Sequence, residues 1–169
     1  RKIDPSRRAH LKPDNTPNDN DRVEIGPTAL AFTEWENLGL SAPDMPALRE
    51  YRLSRLQDQI RQHDCAGLLL FDPLNIRYAT DTTNMQLWIA HNMARACFVP
   101  PEGKVILWDF HNCEHLSAHL PLVGEVRHGA SFFYFETGDQ TEQAADAFAE
   151  QVLDVMRQHA GTNKRLAVD

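Results

Sequence analysis

No stretch of this 169-residue chain approaches the roughly 20 consecutive apolar residues that a membrane-spanning helix needs. The opening residues, RKIDPSRRAH, are basic but lack the apolar middle of a secretion signal, so they read as an arm. Cysteine is scarce and odd in number, at Cys65, Cys97 and Cys113, with no CxxC spacing. That pattern points to reduced thiols in a reducing, cytoplasmic compartment, with Cys65 and Cys97 as small core residues in apolar strands. Lysine is scarce too. Thirteen of the 17 basic residues are arginine, which favours fixed ion pairs over loose solvation. A formal charge of -7 argues against a nucleic-acid or anionic-membrane surface, because both need a local excess of Lys and Arg to neutralise phosphate. Also missing are a Gly-rich phosphate loop, a GxSxG elbow, an HExxH pair and a DxDxDG calcium loop.

What is present is an alternation of helical and strand patterns. Residues 1 to about 28 are polar and rich in Asn, Asp and Pro, with no sustained period, and Phe32, Trp35, Leu38 and Leu40 then offer an apolar anchor around a short helix or turn. From Pro46 to His63, Leu48, Tyr51, Leu56 and Ile60 recur at helical intervals, and Asp44 stands ready to cap. Cys65 to Phe71 is a strand. Arg95 to Val99 and Lys104 to Phe110 read as a hairpin around Pro100-Pro101-Glu102-Gly103. His111 to Leu120 reads as a short helix, Gly124 to His128 as a weak strand, and Ser131 to Phe135 as an aromatic segment. Thr141 to His159 forms a helix with Ala144, Ala145, Phe148, Val152, Val155 and Met156 on one face and Gly161 as its stop, and Arg165 to Val168 begins a further strand. The expected organisation is an arm over 1–45 and one α/β domain over 46–169, with a mixed sheet covered on both faces.

The stretch from Phe71 to Trp88, FDPLNIRYATDTTNMQLW, is the most suggestive of a site, because ligands gather beyond the carboxyl ends of strands in open α/β sheets. Asp72-Pro73 signals a turn there, leaving Asn75 to Tyr78 only a brief helical turn. Elsewhere, His111, His115 and His119 lie on one helical stripe, but Cys113 and Glu114 project away from it. A solvated face is therefore read in preference to zinc, and no metal ligand is assigned in this chain. His91 and Arg95 could each approach an anionic substrate from the rim, but structural roles are preferred, with Arg95 expected to pair a carboxylate at a domain or dimer interface. The remaining carboxylates sit in polar surface sequence, and no catalytic residue is assigned.

The run LLLFDPLNIRY, Leu68 to Tyr78, resembles the amino-terminal domain of the creatinase/prolidase group of pita-bread metalloenzymes. Within that group the longer string YATDTTNMQLW, taken with RKIDPSR, NTPNDNDRVEIGPT and FFYFETGD, is similar to the metal-dependent dimethylsulfoniopropionate lyases. The resemblance implies a three-layer α/β domain that packs a homodimer and closes a small-molecule pocket. The catalytic carboxyl-terminal domain, with its divalent or transition metal ions, iron among them, would lie beyond Asp169. It further implies that Trp88 lines the substrate pocket, with Asn84 and Gln86 as neighbours. An indole face attracts a sulfonium cation by about 0.5 to 2 kcal/mol, and Tyr78 or Phe71 is a candidate second face. Two alternatives stay open: the corresponding domain of an Xaa-Pro peptidase or creatinase-like hydrolase, and a free-standing dimerisation module.

Overall fold

The computed structural model describes residues 29–82, 94–110, 117–118 and 120–169. Contacts divide the chain into Arg1–Ala42 and Pro43–Asp169. In the first unit a helix, α1 (Ala29–Asn37), forms over the expected anchor and brings Phe32 edge-on to Trp35 at 5.6 Å. It buries none of its residues, and Leu38 and Leu40 beyond it are exposed.

The second unit opens with α2 (Met45–Gln62), capped as expected by Asp44, whose carboxylate accepts from the Ala47 N–H at 3.0 Å. Its inward stripe differs from the expected one. Leu53 and Ile60 are buried with Leu56 beside them, whereas Tyr51 points to solvent under the Arg55 guanidinium. After β1 (Gly67–Leu70) the brief turn expected over Asn75–Tyr78 is instead an eight-residue helix, α3 (Pro73–Thr80). The reason is local chemistry. Asp72 is an N-cap whose carboxylate accepts from Leu74 and Asn75 N–H at 2.8 and 3.0 Å, and Pro73 supplies the fixed φ of a first helical residue. Asp81, in the left-handed region at φ 64°, ends α3 and pairs with Arg49 at 2.8 Å, joining α3 to α2.

The hairpin forms as read, with β2 (Ala96–Val99) antiparallel to β3 (Val105–Asp109), and β4 (Val123–His128) runs parallel to β3. A short helix, α4 (Tyr134–Thr137), and a 3-10 turn lead into α5 (Thr141–Ala160), which delivers β5 (Leu166–Val168) parallel to β1. The sheet order is β4-β3-β2-β1-β5. It is mixed, as the sequence indicated.

Alternation along the strands builds two cores, one on each face. Leu70, Cys97, Val99, Val105 and Leu107 meet α2 and α3 on one side. Leu69, Ala96, Phe98, Ile106 and Trp108 meet Phe148, Val152, Val155 and Met156 of α5 on the other. Ala144 and Ala145, read onto the same helical face, are only half-buried. Trp108 is fully buried, and its indole N–H donates to Gln151 at 2.8 Å, which removes the cost of an unpaired buried donor.

Cys65 and Cys97 are free and buried, as expected of core thiols. Burial pushes the Cys97 thiol up to about 12, with the Arg95 charge acting against that rise and the Asp169 charge adding to it. The folded pKa lies above the ordinary thiol value, so this group's contribution to stability is full below the unfolded pKa. It is lost as pH rises toward the folded value. Native protein at pH 8 should therefore leave Cys97 unalkylated by iodoacetamide while urea-unfolded protein labels it fully, as read by peptide mass spectrometry. Equal labelling rates in the two states would overturn this.

Candidate site at the carboxyl edge of the sheet

Because β2 is antiparallel to both neighbours, β1, β3, β4 and β5 all point the same way and end at one edge. Two polar clusters sit there. The first is built on Asp169, whose Oδ1 accepts from the Phe71 N–H at 2.8 Å. Its Oδ2 accepts from the Asp72 N–H at 3.1 Å and from Asn75 Nδ2 at 3.0 Å. One carboxylate thus ties the end of β5 to the start of α3, at a helix terminus where negative charge is favoured.

The second cluster is buried and ionic. Arg95 and Asp109 each lie one residue beyond the Ala96–Trp108 pair of the β2–β3 ladder. Arg95 Nε lies 2.9 Å from Asp109 Oδ1, with both side chains wholly buried. Arg95 Nη2 donates to Thr82 Oγ1 at 2.8 Å, to Asp109 Oδ2 at 3.3 Å and to Ser117 Oγ at 3.4 Å. Ser117 Oγ donates to Asp109 Oδ2 at 2.6 Å, and the Thr80 and Thr82 hydroxyl oxygens lie 3.1 Å apart, within hydrogen-bond reach. Arg95 does pair a carboxylate, but within its own domain interior rather than at an interface. The sequence alone names no carboxylate for Arg95; the register of the hairpin, with Ala96 opposite Trp108, brings it to Asp109.

Asn84, Gln86, Trp88 and His91 fall in 83–93, and His111, Cys113, His115 and His119 in 111–116 and 119, all outside the described residues. The two candidate second aromatic faces are not brought together. Phe71 packs its ring against Phe132 and Phe148 on the α5 side at 6.1 and 6.0 Å. Tyr78 lies exposed on α3, its hydroxyl accepting from Arg55 at 3.2 Å and its ring under Arg52. Asp72, Asp109 and Asp169 each accept from backbone N–H groups, a guanidinium or a hydroxyl. Among the described residues no three His, Cys, Asp or Glu side chains converge, so this set does not fit a resident metal. An apolar groove of about 380 Å³ between α2 and β5 lies toward the opposite end, around Leu56, Ile60, Cys65 and Leu166. It brings none of these polar groups together.

A family model for the creatinase/prolidase N-terminal domain matches residues 52–169. All 169 residues align with a dimethylsulfoniopropionate lyase, DddP, of Roseovarius nubinhibens at 56% identity. They align equally with the DddP of Roseobacter denitrificans at 54% identity, and in each case the chain spans 38% of the relative's length. A solved Xaa-Pro aminopeptidase of Streptococcus pyogenes is similar at 13% identity and a TM-score of 0.43, over 74% of this chain and 94% of that one.

Proposed function

Because the chain belongs to the creatinase/prolidase N-terminal domain family, we propose that it is the amino-terminal part of a metal-dependent lyase that cleaves dimethylsulfoniopropionate. The observation that carries this is the reach of the likeness. The family model begins at residue 52, yet identity of 54–56% to the two lyases extends over all 169 residues, the polar arm included. A shared fold alone does not require an arm to match.

In this reading residues 1–45 are an arm, 46–169 the domain, and the catalytic domain follows. The substrate joins a dimethylsulfonium to a propionate. A base removes the proton next to the carboxylate, the electron pair forms the carbon–carbon double bond of acrylate, and the sulfonium leaves as neutral dimethyl sulfide. By resemblance to the lyases, of whose length this chain spans 38%, the base and the metal ion that would polarise the carboxylate belong to the remainder of the protein. This chain supplies one wall of the pocket. Trp88 faces the sulfonium, with Asn84 and Gln86 beside it, and the domain packs a homodimer. The free buried thiols of Cys65 and Cys97 support a cytoplasmic setting; no helix among the described residues is long and apolar enough to cross a membrane.

The test is substrate choice by the full-length protein. Offered dimethylsulfoniopropionate, an Xaa-Pro dipeptide and creatine separately, it should release dimethyl sulfide and acrylate and leave the other two intact. Cleavage of the dipeptide or of creatine without dimethyl sulfide would replace the lyase reading with the hydrolase one.

A further inference from the structure

Among the described residues of the second unit, the most exposed large apolar side chains are Phe135 and Tyr134 of α4, at 86% and 73%. They stand on a fixed base. Just before them, Phe132 packs its ring against Phe148 at 5.4 Å and Phe71 at 6.1 Å. Just after them, the Thr137 hydroxyl donates to the Phe133 carbonyl at 3.0 Å and lies 2.8 Å from the hydroxyl of Thr141, the first residue of α5. Phe135 also stacks parallel to the Phe133 ring at 6.4 Å. The two aromatic side chains are thus presented at a set place, so little ordering remains to be done when something covers them.

That place is the carboxyl edge of the sheet. β4 ends at this edge, and Phe71, whose ring holds Phe132, donates its N–H to Asp169 at the end of the chain. Leu74, two residues past Asp72, and Val168, one before Asp169, are exposed beside the same carboxylate clamp. We propose that this apolar edge, centred on Tyr134 and Phe135, is the docking surface for the downstream part of the same polypeptide. The proposal rests on the reading above that a catalytic domain follows; this chain spans 38% of each lyase relative.

Side chains this open suit a protein surface and not a small molecule, which a pocket encloses over roughly 70–90% of its surface. Aromatic residues flanked by aliphatic ones also have the composition of an interface core, and an exposed patch of them marks an interaction site. Tethering picks the occupant. A continuation past Asp169 starts at this edge, where a short tether holds it at an effective concentration of roughly millimolar, which a second copy in dilute solution does not reach.

Photo-cross-linking in the full-length protein tests the docking without reading turnover. Phe135→p-benzoylphenylalanine keeps an aromatic ring at the exposed position and inserts into C–H bonds within reach. On irradiation it should join residues beyond 169 of its own chain at least about tenfold more than the same probe at the exposed Glu102, in the hairpin connection at the opposite end of the sheet. Products mainly of doubled mass would assign the surface to a second copy, and a yield no higher than at Glu102 would mean that nothing covers it. Either result overturns the proposal. Should the probe prevent folding, Phe135→Cys and Glu102→Cys replace it. The thiol at 135 should then react with a maleimide about tenfold more slowly than the one at 102, at a rate unchanged by about a hundredfold dilution. Equal rates, or protection lost on dilution, would overturn it. If the wild-type protein releases no dimethyl sulfide, the lyase reading fails by itself, and the cross-link still decides the docking.

Discussion

Asp109→Ala should destabilise the folded domain by about 3–5 kcal/mol, because it strands a fully buried guanidinium without its counter-charge. Arg95 has no route to solvent, since its side chain and that of Asp109 are both wholly buried. The substitution also removes the acceptor of the Ser117 hydroxyl and the Oδ1 that accepts from the Phe110 N–H at 2.8 Å. Replacing both charged residues together by Met and Leu should cost far less, within about 1–2 kcal/mol of wild type in either direction, since no unpaired charge remains. Urea unfolding of the wild type, the single and the double variant gives all three values. A single variant within about 1 kcal/mol of wild type would mean that water reaches the pair.

The second large effect is steric. A Cβ on Gly67 would stand 2.3 and 2.4 Å from two ring atoms of Phe98 and 3.0 Å from the Val99 carbonyl oxygen. Phe98 is fully buried in the core cluster under α5, so its ring has no open space to swing into. Gly67→Ala should therefore cost about 2–3 kcal/mol or more, at the upper end for overpacking. Phe98→Leu alone should cost about 1–3 kcal/mol as a cavity. The double variant should cost less than the sum by about 1 kcal/mol or more, because leucine vacates the space that the new methyl needs. Losses that add to within about 0.5 kcal/mol would show that Phe98 is not the obstacle.

Much of this architecture can be read from the chain because burial on both faces leaves a periodic trace. The uninterrupted run Val105–Asp109 and the period of Phe148, Val152, Val155 and Met156 sufficed for the central strand and the long helix. The stripe of α2 was misread because Tyr51 is apolar enough to join a pattern and polar enough to leave it. Asp72-Pro73 was read as a turn, although the same pair is the N-cap and first residue of a helix. The difference lies in what the Asp carboxylate bonds, which composition does not reveal. Arg95 illustrates a different limit. Sequence indicates that an arginine beside an apolar strand needs a carboxylate, but only the packed fold names Asp109 and shows that Thr82 and Ser117 join the pair. The polar residues of the site itself left no periodic signal, and Trp88, Asn84 and Gln86 came from resemblance alone.

The most direct measurement is dimethyl sulfide release by the full-length protein, wild type against Trp88→Ala, with acrylate followed in parallel. Stoichiometric dimethyl sulfide and acrylate from the wild type are predicted, with KM raised or kcat lowered by about an order of magnitude or more in the variant as a sulfonium-facing indole is lost. Lyase activity with kinetics unchanged by Trp88→Ala would contradict the pocket-wall role, and a wild-type protein that forms no dimethyl sulfide would contradict the account as a whole.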